Sequence, residues 1–297
     1  MLPVGQRLIG PSLPLPAPSS AGVSTCALPE TLLAAPARAP QRLSYHLLVL
    51  TTAGHGTAEV DFVSRPCRPG TLLWVRPGQA LRFSGAMDAT LVAWDRDLLR
   101  PDDLAGVTVD DPIGPERWQL AGEDEDAIIS EVTQLSVDCD RHASDRVAGA
   151  LLKHQLAVLV LRIAMLAADE AAAPSAERRT FARFRRRLEQ EHPHSRRVED
   201  YADRLGCSVR TLTRASLAVT GRTAKQVVDD RVALEARRLL ACTDLSVAEI
   251  GRRLGFGEPT NFGRFFHREA GLSPGAFRVA RGGEAGPRVP AQRPGTD

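Results

Sequence analysis

Ile250-Gly-Arg-Arg-Leu-Gly-Phe-Gly-Glu-Pro-Thr-Asn-Phe-Gly-Arg-Phe-Phe-His-Arg-Glu-Ala-Gly271, continued by Leu272-Ser-Pro-Gly-Ala-Phe-Arg278, decides the architecture of the C-terminal third. Its first helix opens at Ser246 and places Val247, Ile250 and Leu254 on one inner face. Gly251 and Gly255 lie four residues apart. Two crossing helices need a small residue at the contact, and a tight turn between them needs a glycine at positive φ. Pro259 suits the first turn of a second helix. That helix presents Phe262, Phe265 and Phe266 as its apolar side and Thr260, Asn261 and Arg264 as its polar side.

The same grammar occurs earlier. Phe181, Phe184 and Leu188 mark a helix from Thr180 that ends near His192-Pro193. Val198 to Gly206 follows, with Ala202 and Gly206 at the small-x-x-x-Gly spacing and Leu205 as a core residue. Ser208 caps a helix from Val209 to Val219, with Leu212 inward and Arg210, Thr213 and Arg214 outward. One such unit is a weak signal. Two in tandem, joined by a helix from Ala224 to Leu240, read as a pair of helix-turn-helix units. Val228, Val232, Ala236, Leu239 and Leu240 give the joining helix one apolar stripe. About 17 residues at about 1.5 Å each make a rod of roughly 25 Å. That rod and the flanking motifs can span the roughly 34 Å between successive major grooves on one DNA face.

Charge singles out the same region. Residues 175–281 carry 22 Lys+Arg against 13 Asp+Glu, whereas the rest of the chain carries 16 against 23. Nearly all these basic residues are Arg, with Lys225 the one Lys among them. A GC-rich genome would explain Arg over Lys, but not a basic half joined to an acidic one. That asymmetry predicts a polyanion partner for the C-terminal part alone.

From Ile250 to Arg278 the chain closely resembles the second-motif signature of the AraC/XylS family of transcription regulators. The resemblance covers about Thr180 to Arg281. It implies a seven-helix DNA-binding domain, a sensor domain and a dimer. Ser216 departs from the aromatic core residue often found at its place in the family. The expected site residues are Arg210, Thr213, Arg214, Glu258, Thr260, Asn261 and Arg264. Arg210 and Arg214 share a helix face, as DNA readers or as a solvated pair. Arg264 stands as a phosphate contact or as a partner in an internal salt bridge. Glu258 is read as a first-turn charge favoured by the helix dipole or as a cytosine reader.

The N-terminal half resembles the family's cupin-like effector domain in texture alone. Short apolar runs, His46–Leu50 and Thr71–Val75, alternate with turn signals at Gly54-His55-Gly56, Arg68-Pro69-Gly70 and Arg76-Pro77-Gly78. From Asp124 the pattern turns helical. A second helix, from about Asp145 to Ala168, has an apolar arc wide enough to suggest burial or pairing with a second copy. Trp74, Trp94 and Phe83 could line a pocket, but their spacing fits core better.

The expected fold is therefore α+β and multidomain: an N-terminal cupin-like β-barrel with helices and a C-terminal all-α double helix-turn-helix domain. The expected layout is a Pro/Ala-rich tail over 1–40, a sensor and dimerisation domain over 41–170, a linker over 171–179, the DNA-binding domain over 180–281 and a tail over 282–297. A cupin metalloenzyme would need several His and a carboxylate converging in the barrel, and that stretch offers only His46 and His55. No enzyme activity, metal or cofactor is expected. Five scattered cysteines without a C-x-x-C pair fit a reducing cytoplasm. The apolar run Leu156–Leu166, interrupted by Arg162, is too short to span a membrane. The expected partners are double-stranded DNA, a second copy of the chain, a small-molecule effector and RNA polymerase. No residue encodes activation or repression.

Overall fold

The computed structural model describes residues 15–33, 39–104, 107, 109, 116–141, 146–168 and 175–282. The N-terminal half is built on two long strands, β3 (His46–Val60) and β6 (Ala80–Trp94), paired antiparallel from His46↔Trp94 to Val60↔Leu81. Around them lie β1 (Val23–Ala27), β2 (Gln41–Arg42), β4 (Val63–Cys67), β5 (Thr71–Val75) and β7 (Arg117–Gln119). The strand path is β1-β6-β3-β5-β7, with β2 on β6 and β4 on β3.

The closed cupin-like barrel expected from the sequence is therefore not what the described residues form. No ladder joins β1 to β7, and the sheet stays open. Both faces are nonetheless apolar, because successive side chains on a strand point to opposite sides. Leu48, Leu50, Leu72, Trp74, Val92 and Trp94 face one core, and Leu47, Val49, Leu73, Val75, Leu91 and Ala93 face another. The first core is covered by α2 (Gly122–Arg141) and α3 (Arg146–Ala168). The second is filled by Leu15, Leu28 and Leu32, the last from α1 (Glu30–Leu33).

Three sequence readings need correction here. The segment read as a tail over 1–40 contains β1, which pairs with β6, and it buries three leucines; its residues 1–14 and 34–38 lie outside the described ones. Gly54-His55-Gly56 is not a turn but lies inside β3, next to an irregularity between Thr51 and Ala53. A Cβ on Gly85 would come within 2.7 Å of the Gly56 Cα, so this glycine pair lets the two strands approach where a turn had been expected. The actual turn is Asp61-Phe62, both at positive φ (50° and 69°). Such a two-residue turn matches the twist of its strands, and non-glycine residues there carry backbone strain. Third, α3 holds a stretch, Val147–Leu166, that is long and apolar enough to cross a membrane by length and composition. Leu152, Leu156, Leu159, Val160 and Ile163 of that stretch pack into the sheet's core.

The remaining chain is helical: α4 (Ala176–Glu191), α5 (Val198–Arg204), α6 (Val209–Thr220), α7 (Ala224–Cys242), α8 (Val247–Arg253), α9 (Pro259–Ala270) and α10 (Pro274–Ala280). Ser175 caps α4, so this helix begins inside the segment read as linker. Residues 171–174 and 283–297 lie outside the described ones. One core joins Phe184, Tyr201, Leu212, Val228, Val232, Leu240, Ile250, Phe262 and Phe266. Each fully buried Val, Leu or Phe contributes about 1.5–3 kcal/mol of transfer free energy.

Candidate nucleic-acid interface

The first helix pair is α5 and α6. Tyr201 and Ala202 are buried, and Gly206 turns the chain at φ +64°. The Ser208 hydroxyl accepts from the Thr211 N–H at 3.0 Å and so opens α6. Leu212, Ala215 and Ser216 form its buried side, and Gly221 ends it in the left-handed conformation. The Ser216 hydroxyl is fully buried and donates to the Leu212 carbonyl at 2.8 Å.

The second pair, α8 and α9, repeats this plan. Ser246 and Glu249 form a reciprocal cap at the start of α8, and Gly255 turns the chain at φ +75°. A Cβ on Gly251 would sit 3.2 Å from the Phe262 Cβ, so the helix crossing is too close for a larger residue without a shift. Pro259 is the first residue of α9, Phe262, Phe265 and Phe266 are buried, and Gly271 caps the C-terminus.

Arg210 and Arg214 are exposed on α6 with Thr213 half-buried beside them, and Glu258, Thr260, Asn261 and Arg264 are exposed at the start of α9. Arg210 and Arg264 form no ion pair among the described residues, and Arg214 comes no closer than 3.9 Å to Glu177. The internal salt bridge considered for Arg264 is thus not made. Glu258 precedes α9 as its cap residue, without a side-chain capping bond. Sequence reading passed over Arg252 and Arg253, both exposed in the last turn of α8. Their signal was in the quoted Gly-Arg-Arg-Leu-Gly stretch.

A helix-turn-helix domain family matches residues 201–280, which run from α5 through α10. The transcriptional activator RhaS of Citrobacter koseri is 37% identical over 83 residues, 28% of this chain and 30% of the relative. RhaS of an Enterobacter species is 39% identical over 83 residues. The DNA-binding domain of the global transcriptional factor AdpA, solved with a target DNA, is 38% identical and is covered over 83% of its length, with a TM-score of 0.29. A point variant of apo ToxT from Vibrio cholerae is 10% identical over 88% of this chain and 98% of its own, with a TM-score of 0.46. The helical region belongs to the AraC/XylS family. The chain spans about 30% of the length of the curated relatives it matches.

In this AraC-type domain most other arginines are engaged internally. On α7, Arg231 donates to Glu189 at 2.6 Å and to Glu235 at 3.2 Å. Glu235 also meets Arg42 of the sheet domain at 2.8 Å. Burial alone would push the Glu235 carboxyl up, but Arg42, Arg231 and Arg238 outweigh it and hold it at about 2. His192, at the end of α4, is pushed down to about 4 by burial, reinforced by Arg231. Arg238 grips Asp61 through two bonds, 2.7 and 2.6 Å, and Asp61 also accepts from Gln79 and from the Ala80 N–H. Phe62 packs edge-on against Phe277 of α10, and Arg281 reaches Glu59 at 3.0 Å. The strained β3–β4 turn is thus plugged into α7 and α10.

This changes the reading of α7. A single buried stripe was expected, but Arg231, Glu235 and Arg238 are buried as well, Glu235 and Arg238 against Arg42 and Asp61 of the sheet domain and Arg231 against Glu189 of α4. His46 and His55 do not come together. His46 lies in the core, stacked 5.0 Å from Trp94, whereas His55 is exposed. Trp74 and Trp94 are core residues on one face of the sheet and Phe83 on the other.

Proposed function

We propose that this chain is a sequence-specific transcription regulator whose α6 and α9 enter successive major grooves of double-stranded DNA. The observation that carries this reading is the polar face of those two helices. Arg210 and Arg264 are exposed without an ion pair among the described residues and Arg214 is exposed with Glu177 3.9 Å away, while Arg231 and Arg238 are consumed in buried pairs. Arginine presents a planar fork of donors matched to guanine edges and phosphates. The sheet domain, taken as residues 15–170, is the effector-responsive part, and its junction with α7 gives a bound effector a mechanical route to the spacer between the two pairs. The chain works as a homodimer through α3, whose exposed Leu151, Val158 and Met165 recur every seven residues.

The test is selection of random duplexes on the full chain, followed by affinity against salt. Enrichment of two short half-motifs about one helical turn apart, with a steep salt dependence, is the expected result. Inserting about five base pairs between them puts them on opposite faces and should remove most specific affinity. Recovery of a single half-motif would leave one reading helix and refute the paired arrangement. Sedimentation at tens of micromolar checks the dimer, and a clean monomer there would refute it.

A further inference from the structure

Helix α7 is the covalent link between the two helix pairs, but it is not the one contact between them. Arg196 lies in the segment between α4 and α5, and its backbone is held from the first pair's side. The buried Tyr201 hydroxyl donates to the Ser195 carbonyl at 2.7 Å, and the Ser195 hydroxyl binds the Asp200 carboxylate. From that anchored point the Arg196 guanidinium reaches the second pair. It donates to the Gly255 carbonyl at 2.9 Å and lies 3.8 Å above the Phe256 ring. Phe256 in turn packs against Phe262 and Phe265 of α9, with ring centroids 5.3 and 5.1 Å away. The Pro193 carbonyl approaches the same turn, 3.9 Å from where a Cβ on Gly255 would be. Burial pulls the Arg196 side chain below its ordinary range, as expected of a guanidinium taken partly out of water.

We infer that Arg196 is a positioning residue that clasps the first helix pair to the turn of the second and so fixes the orientation of α9 relative to α6. A body held at one contact can rock about it, and a second contact off that line removes the rocking. A guanidinium stacked on an aromatic face and hydrogen-bonded at its edge is suited to this, because it resists both sliding and rotation. The inference rests on the reading in which both α6 and α9 bind DNA. It adds that the spacing between the half-motifs is enforced partly by this side chain rather than by α7 alone.

The experiment uses the full chain and the duplexes it enriches, with the spacer between half-motifs changed by one base pair in each direction. The unaltered chain should prefer its own spacing by about tenfold or more, since one base pair adds about 3.4 Å and roughly a tenth of a turn. Arg196→Ala should reduce that preference to about threefold or less, with affinity for the best duplex changed little more than the loss of one constraint requires. Arg196→Lys, which keeps a cation over Phe256 and a donor for Gly255, should restore much of it. A uniform loss of affinity at every spacing would make Arg196 a phosphate contact or a folding residue and overturn the inference. A DNA-free measurement separates this from failure of the DNA reading: nitroxide labels on non-native amino acids at Ala218 and His267, both exposed, report the α6–α9 distance. The distance distribution should broaden in Arg196→Ala, and an unchanged distribution overturns the clasp whatever the duplexes do. If no duplex is enriched, the DNA reading fails, and the role in half-motif spacing fails with it.

Discussion

The two helix pairs share a backbone plan and differ in where their bulk comes from. Both α6 and α9 run for 12 residues, and both end at a left-handed glycine. Aligned from their first residues, Leu212, Ala215 and Ser216 of α6 stand where α9 has Phe262, Phe265 and Phe266. The second pair packs its own aromatics, joined by Phe256 and Phe277. The first has small residues in α6 and takes its aromatics from the helices beside it: Phe184 of α4 stacks edge-on with Tyr201 of α5. The turns differ too, with four residues between α5 and α6 and five between α8 and α9. The same motif geometry can thus be filled by aromatics of the second helix itself or by aromatics of the helices beside it, and the latter solution makes the first pair depend on α4.

The sharpest way to break this comparison is at equivalent positions. Phe266→Ala should destabilise the helical domain by about 3–5 kcal/mol through the lost contacts and the cavity left behind. Ser216→Ala, one motif earlier, should stay within about 1 kcal/mol, because that hydroxyl satisfies itself on its own helix. Urea midpoints of the two variants decide it, and equal losses would mean that the first pair's core is as self-contained as the second's.

A smaller effect should appear with pH, at His192, the residue that ends α4 beside the first pair. His192 titrates near 6.5 in the unfolded chain and at about 4 in the folded one. Its neutral form is favoured by folding, so its contribution is complete above about pH 6.5 and disappears as the pH falls to about 4. At about 1.36 kcal/mol per unit, that amounts to at most about 3 kcal/mol. Glu235 has the same sign but a lower window, between the unfolded carboxyl range and about 2. His192→Gln should flatten the stability profile between pH 4 and 6.5 and leave the more acidic loss in place, read from denaturation midpoints across pH.

The helix crossings give a third contrast. Gly251→Ala pushes a methyl to 3.2 Å from the Phe262 Cβ and should cost about 1–3 kcal/mol by overpacking. Ala202→Gly at the matching crossing should cost about 0.5–1 kcal/mol, the ordinary price of a helical glycine. Thermal midpoints of both variants test the order. On the proposed DNA, Arg210→Ala or Arg214→Ala should lose about 1–3 kcal/mol of affinity if that residue reads a base. A phosphate contact by Arg264 instead predicts a uniform loss across sequences and a salt slope reduced by about one. Competition titrations at several salt concentrations distinguish the two, and no change in both α6 variants would mean that α6 does not face the duplex.

How legible each part was depends on the range of the interactions that form it. The helix pairs could be read because their signals are local. Ser208 and Ser246 cap the helix that follows, Gly206 and Gly255 supply the positive φ, and apolar residues recur at helical spacing. The outward face of α6 and of α9 follows from the same period, which is why Arg210, Arg214 and Arg264 are exposed where expected. The sheet was harder. Gly54 and Gly56 look like a turn in sequence, and only the partner strand, with Gly85 opposite Gly56, shows why glycine stands inside β3. Sheet closure was likewise invisible, because it depends on whether β1 and β7 meet, far apart in the chain.

By itself, the sequence determined the tandem helix pairs, the basic C-terminal part and the polar faces of α6 and α9, because each follows from the spacing of neighbours along the chain. Tertiary structure alone decided that β1 joins the sheet, that Asp61 turns back to hold Arg238, and that Arg196 reaches Gly255. Arg238 and Asp61 lie 177 positions apart, and Arg196 and Gly255 lie 59 apart. No local period encodes such pairs; they exist because folding takes these guanidinium groups partly out of water and brings them against oxygens distant in sequence that can accept from them.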